Sequence, residues 1–175
     1  MFKYIVLFSA LFLITAIPQH KPIKLNWDVH FKGEPNLKSK YTALTSLVFR
    51  YGYESAVSNN KVSLKFNFHA DVNPQKSWYK SDRIKNKEEK DYLLNHEQGH
   101  VNLNFLLKKE AERVLVKAKY SAKDYKTTIK KLGDSIIKKY DNLQKQYDEE
   151  TEHSLNKKSQ QNWDNYIDNL LESYN

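Results

Sequence analysis

The chain contains no cysteine. This absence excludes a disulfide framework, a cysteine-linked lipid anchor and a cysteine zinc site. Any metal must therefore be bound through His, Asp or Glu side chains. Internal repeats are also missing, and 175 residues with 39% hydrophobic content are enough for one domain with a single core.

A long apolar run is missing as well, because the stretch from Tyr4 to Ala16 is too short for a comfortable membrane span. Lys3 precedes this stretch, which is the pattern of a secretory signal peptide. A retained N-terminal anchor is the alternative. We predict a signal peptide over residues 1–20, cleaved within residues 16–20. The remaining residues 21–175 are expected to form one zinc-peptidase-like domain, exported to the periplasm or the extracellular space, with no stable membrane span.

The excess of positive charge is moderate, since 29 Lys and Arg against 21 Asp and Glu give a formal net charge of +8. Removal of residues 1–20 takes away Lys3 alone and lowers this charge from +8 to +7. Lysines alternate with acids along the second half, which is typical of solvated helix faces. No patch of arginine and aromatic residues stands out, so we expect no nucleic-acid partner.

Period-two alternation of apolar and polar residues in the first half predicts antiparallel strands with one buried face. A first strand is predicted over residues 23–31. Two more are predicted through residues 47–53 and 62–70, joined by a turn at residues 58–61. A strand-rich first half followed by a helix-rich second half predicts an α+β fold.

Three helices are predicted after the strands. The first runs from Asn86 to about Lys119, because Asn86 and Glu89 have the spacing of a capping box. The second runs from Asp124 to about Glu152, and the third starts at about Ser159, both with apolar residues at three- and four-residue steps. A glycine inside the second helix argues against an unbroken rod.

The first predicted helix contains the pentad His96-Glu97-Gln98-Gly99-His100. Residues four apart lie about 40° apart around a helix, so His96 and His100 can bind one zinc ion together. Glu97, turned by about 100°, can bind the water of the zinc and act as general base. Both histidines interrupt an apolar stripe, which predicts a metal site at an internal face of the helix. The alternative is a pair of buried histidines that only form hydrogen bonds.

A catalytic zinc usually has three protein ligands and one open position, so a third ligand is needed. Helical periodicity favours Glu150 over His153, because Glu150 falls on the apolar stripe of the second predicted helix. Acidic residues near a helix end are, however, more often simply solvated.

Several motifs resemble a bacterial family, classed as a domain of unknown function, whose members are described as predicted secreted zinc-dependent proteases. Residues 77–80 resemble its S-W-V-K, and residues 93–100 match its L-L-x-H-E-Q-x-H. The motif Y-D-x-x-T-x-H-G-x5-Q-x2-W is matched at Tyr147, Asp148, Thr151, His153, Gln160 and Trp163. Ser154 stands where the family favours Gly, and residues 101–102 stand where it favours Phe-Asp.

The resemblance implies a zincin-like fold and makes His153 the third zinc ligand in place of Glu150. A turn or irregularity after Thr151 would be needed to bring His153 to the metal.

Together, pentad and resemblance predict a zinc metallopeptidase that hydrolyses peptide bonds in a peptide or protein substrate. One zinc ion would be bound by His96, His100 and His153, with Glu97 as general base. Tyr147 is expected either to donate to the oxyanion or to fill the core. One of the first strands would bind an extended substrate by edge pairing. The alternatives are hydrolysis of a non-peptide amide and an exported, non-catalytic binding or structural module whose zinc has four protein ligands.

Overall fold

The computed structural model describes residues 21–174, so the predicted signal peptide and its cleavage region lie outside the described residues. Four helices and four strands follow one another, with a 3-10 turn at Ser81–Arg83. In chain order they are α1 (Trp27–His30), β1 (Ala43–Leu44), β2 (Leu47–Ser58), β3 (Lys61–Val72), β4 (Trp78–Tyr79), α2 (Lys87–Lys117), α3 (Tyr125–Glu150) and α4 (Lys157–Glu172). The α+β order is confirmed. Within residues 21–174, no helix is both long and apolar enough to cross a membrane.

The strands form two separate antiparallel sheets of two strands each. β2 and β3 make a long hairpin, paired from Leu47 with Val72 to Ser58 with Lys61. Its turn residues Asn59 and Asn60 have φ angles of 49° and 60°, as a two-residue hairpin turn requires. The strands predicted through residues 47–53 and 62–70 and the turn between them are therefore confirmed. The second sheet pairs β1 with β4.

The strand predicted over residues 23–31 is wrong, because this segment contains the short helix α1 and pairs with no strand of the described chain. The Asn26 side chain accepts from the Asp28 N–H at 2.8 Å and starts the helical turn. The Leu25 N–H donates to Gln98 Oε1 at 2.8 Å. A side chain of α2, and not the backbone of a neighbouring strand, is therefore its acceptor. Of the apolar residues in this alternation, Leu25, Trp27 and Phe31 are buried, whereas Val29 is 52% exposed.

Helix α2 is the central element, because each of its two apolar faces belongs to a different core cluster. Asn86 caps it by accepting from the Glu89 N–H at 2.9 Å, which confirms the predicted start. One cluster joins α2 to α1 and the small sheet and includes Leu93 and Val101. The other joins it to α3, α4 and the hairpin and is larger. Its fully buried members from α2 are Leu103, Leu106 and Leu115.

Helix α3 is continuous despite Gly133. Gly133 is buried, and a Cβ at this position would collide with the ring of Tyr51 from β2. The glycine therefore permits a close approach of α3 to the hairpin, and it does not interrupt the helix.

A turn of unusual handedness follows α3. Glu152, His153 and Ser154 have φ angles of 51°, 51° and 78°, a region that costs a residue with a Cβ about 1–2 kcal/mol. Two backbone bonds stabilise the turn: the His153 N–H donates to the Asp148 carbonyl at 2.9 Å, and the Asn156 N–H donates to the Thr151 carbonyl at 2.8 Å. This left-handed turn reverses the chain into α4.

Replacing Ser154 by glycine should stabilise the protein by about 0.5–1 kcal/mol, because glycine adopts this φ without a Cβ penalty. Urea unfolding measures the change. The matched control is Ser135→Gly on the exposed face of α3, where the same substitution should destabilise by about 0.5 kcal/mol through helix propensity. A lower unfolding midpoint for Ser154→Gly would contradict the described turn.

Candidate metal centre

His96 and His100 lie one turn apart on α2, with ring centroids 4.9 Å apart. Both face the C-terminal part of α3, where Asp148 Oδ1 lies 3.4 Å from His96 Nε2 and 3.1 Å from His100 Nε2. One ligand atom from each of the three side chains lies within 4.8 Å of the others. We call His96, His100 and Asp148 the trio, and it is a possible metal site. The face of α2 predicted to be internal carries it.

Two glutamines orient the imidazole rings. Gln160 Oε1 lies 3.0 Å from His96 Nδ1, and Gln144 Oε1 lies 2.6 Å from His100 Nδ1. The amide nitrogens donate elsewhere, from Gln144 to the His100 carbonyl and from Gln160 to the Tyr147 hydroxyl. The amide oxygens are therefore acceptors, so each Nδ1 carries a proton. In a neutral ring Nε2 is then the unprotonated nitrogen, and it faces the trio, as metal binding requires.

Asp148 provides the negative charge of the trio. Burial opposes its ionisation, but hydrogen bonds and attraction from His100 and His96, in the form of the rings that carries a proton on Nε2, hold the pKa of the carboxyl well below its ordinary value. Burial likewise acts to lower the pKa of His100, and contact with Asp148 and the charge of Glu97 raise it overall. Asp148 is therefore ionised at neutral pH, which is the form that binds a cation.

His153 lies beside the trio and contacts it through Asp148. The left-handed turn brings His153 Nδ1 to 3.2 Å from Asp148 Oδ1. Its ring packs on Tyr41, with centroids 4.4 Å apart. The irregularity predicted after Thr151 is therefore present, and it brings His153 into contact with Asp148.

Glu150, which periodicity favoured, points toward α4 and away from the trio. Its carboxylate accepts from Trp163 Nε1 and from Gln146 Nε2, each at 2.8 Å. The structure therefore brings His96 and His100 together with Asp148, places His153 against Asp148 but outside the trio, and leaves Glu150 apart from all of them.

Asp148 and Gln144 are the site residues that sequence reasoning missed. The acidic run that ends α3 was interpreted as solvated. A signal was available: Gln144 and Asp148 are four residues apart and so share one face of α3. That face borders the buried stripe that contains Tyr147. Asp148 also stands in the motif matched by resemblance, without an assigned role.

Glu97 is 4% exposed and contacts the small sheet. Its Oε2 accepts a hydrogen bond from Thr45 Oγ1 at 2.5 Å. Thr45 follows β1 directly. Glu97 is therefore held beside the histidines but is not one of the trio.

A cleft of about 660 Å³ lies over these residues. Residues 40–45, which include β1, form one wall, and residues of α3 and the left-handed turn form the other. His96, Glu97 and His100 line the cleft between these walls. The volume is in the range of known small-ligand pockets.

Tyr147 packs where Gly99 leaves α2 without a side chain. Tyr147 is fully buried, its ring stacks on His96 at 4.8 Å, and its hydroxyl donates to the His96 carbonyl at 2.9 Å. Burial also raises the pKa of this hydroxyl far above its ordinary value. Of its two expected roles, Tyr147 therefore fills the core, since its proton is engaged with α2.

Residues 17–154 match the model of a family described as "Bacterial protein of unknown function (DUF922)". The match covers most of the chain, which therefore belongs to this family. No curated protein and no solved structure gives a significant match. The matched segment contains the trio, Glu97 and His153, whereas α4 with Gln160 lies beyond it.

Gly99→Ala should destabilise the protein by about 1–3 kcal/mol, because the added Cβ would collide with the buried ring of Tyr147. Helix propensity alone predicts the opposite sign, a gain of about 1 kcal/mol. Urea unfolding measures the change. Gly52→Ala is the matched control, since a Cβ there meets only the side-chain end of Asn67 on the hairpin. Equal effects of the two substitutions would argue against the Gly99–Tyr147 contact.

Proposed function

We propose that this family member is an exported zinc-dependent peptidase with a zincin-like arrangement of its site. One observation carries the proposal: two histidines on one helix present Nε2 to a shared point, with the Glu97 carboxylate in the same cleft. Export is proposed from the sequence of residues 1–20, which precede the described residues.

The donor chemistry of the site fits zinc. Imidazole nitrogens and a carboxylate oxygen are common zinc ligands, and catalytic zinc sites use three of them. The protons on Nδ1, fixed by Gln144 and Gln160, leave the Nε2 lone pairs for the metal. His96 and His100 would supply two ligands, and the third would come from His153 or Asp148.

When bound, zinc would supply Lewis acidity that activates a water and stabilises negative charge on a peptide carbonyl oxygen. Glu97 would act as general base through Oε1, because Oε2 accepts from Thr45. It would take a proton from the attacking water and donate it to the leaving amine. Its low exposure favours this role, since a dry carboxylate interacts more strongly with a nearby proton donor.

The edge of β1 supports an extended peptide as substrate. The Lys80 N–H donates to the Thr42 carbonyl at 2.8 Å, and Ala43 lies opposite Tyr79 in the register. Backbone groups alternate in direction along a strand, so the N–H and C=O of Ala43 point away from β4. Ala43 also lines the cleft. An added strand could pair there and lie across Glu97.

A second candidate is a binding or structural module whose zinc is closed by four protein ligands. The contacts of Asp148 with His96, His100 and His153 favour it, because a carboxylate in this position could occupy the place that a catalytic zinc leaves open. Binding of a small hydroxamate to the zinc-loaded protein would reveal an open position and separate the two candidates. A closed site would exclude the hydroxamate.

His96→Ala and His100→Ala should each abolish stoichiometric zinc binding, because the remaining ligands cannot hold the ion at useful affinity. Zinc content of the purified mature protein measures this. Glu97→Gln is the matched control on the same helix: it should keep the zinc and lower peptide hydrolysis at least about 10²-fold. Full zinc occupancy in either histidine variant would overturn the metal site. Unchanged turnover in Glu97→Gln would assign the general base elsewhere.

Three variants at the end of α3 should identify the remaining ligand. His153→Ala and Asp148→Ala should each weaken zinc affinity at least about 10-fold, because each residue is a ligand or contacts one. Glu150→Ala is the control and should leave the affinity unchanged, since its carboxylate is bonded to Trp163. Competition titration against a chromophoric chelator measures all three. Zinc loss in Glu150→Ala alone would restore the assignment favoured by periodicity.

A further inference from the structure

Thr45 stands at a rigidly held point of the cleft wall. On its N-terminal side, Ala43 and Leu44 are paired with β4. On its C-terminal side, the Ser46 N–H donates to Ser77 Oγ at 2.8 Å, and the fully buried Ser77 hydroxyl donates to the Asn73 carbonyl. The backbone at Thr45 is therefore fixed from both directions.

The Thr45 hydroxyl contacts the buried carboxylate of Glu97. Glutamate has several rotatable side-chain bonds. The threonine hydroxyl is bonded directly to Cβ and has few rotamers, so its position varies less. The separation of 2.5 Å between Thr45 Oγ1 and Glu97 Oε2 is typical of a hydroxyl that donates to a charged carboxylate. Within residues 21–174, no residue other than Thr45 forms a hydrogen bond with this carboxylate. Oε1 is thus left for the cleft.

We propose that Thr45 is a positioning residue, which holds Glu97 by Oε2 so that Oε1 faces a reactant in the cleft. The proposal rests on the proposed function, since it assigns a role in proton transfer by Glu97. Proton transfer requires the base within about 2.6–3.2 Å of the proton donor. Small misplacements of a reacting group, on the order of 1 Å, can cost about 10²-fold in rate.

The link also connects the base to the wall that would bind the substrate. Thr45 belongs to the same cleft wall, residues 40–45, as Ala43. The backbone groups of Ala43 point away from β4. A peptide paired with β1 would therefore lie at a fixed distance from the carboxylate that Thr45 holds. Glu97 takes its orientation from the substrate-binding wall as well as from its own helix.

The first test compares two substitutions at position 45 in the zinc-loaded mature chain. Thr45→Val keeps the shape and removes the hydroxyl, so kcat should fall at least about 10-fold while KM and zinc affinity stay unchanged. Thr45→Ser keeps the hydroxyl and should restore kcat to within about 3-fold of the original. Wild-type kcat in Thr45→Val, or an equal loss in both variants, would overturn the proposal.

The second test needs no activity. Thr45→Val, Glu97→Ala and the double variant are compared by thermal unfolding of the metal-free chain. If the hydroxyl binds the carboxylate, the double variant should lose less in Tm than the sum of the single losses. If the Tm losses are additive and the original chain hydrolyses peptides, the positioning role of Thr45 is overturned and the peptidase proposal stands. Non-additive losses in a protein that cleaves no peptide would instead overturn the peptidase proposal, and the catalytic role of Thr45 with it.

Discussion

The packing of Tyr147 against Gly99 sets the position of the candidate metal centre. A tyrosine ring can lie directly on α2 only where that helix lacks a side chain, and Gly99 provides this place next to His96. The contact brings α3 close enough for Gln144 and Asp148 to reach the two histidines. The hydroxyl of Tyr147 then bonds both to α2 and to Gln160. Helices α2, α3 and α4 thus meet at one aromatic side chain.

Burying the polar groups of this site costs desolvation free energy. A partly buried carboxylate and two largely buried imidazoles would be costly without partners. The structure compensates by pairing Asp148 with the histidines and by giving each Nδ1 an amide oxygen. These partners restrict the rings to one orientation. The same interactions that make the burial tolerable therefore also preorganise the nitrogens for a cation.

Local signals in the sequence account for much of the fold. The hairpin was predictable because alternation and an Asn-Asn turn agree, and the start of α2 was predictable because Asn86 caps it. Residues 23–31 were misassigned because period-two burial does not reveal whether a segment pairs with another strand. The pentad identified two site histidines through helical spacing alone. Asp148 escaped because its role depends on the approach of α3 to α2, and the approach of His153 depends on a left-handed turn formed without glycine.

The residues of the site lie on both sides of the left-handed turn between α3 and α4. Every candidate ligand precedes Leu155, whereas Gln160, the anchor of the His96 ring, follows it. The side chain of Leu155 is 79% exposed, and exposed turns are preferred sites of proteolytic nicking. A cut at this turn would leave all candidate ligands on the larger fragment, while Gln160 would be joined to them only by non-covalent contacts. Proteolysis at this turn could thereby weaken the orientation of the His96 ring without removing any candidate ligand.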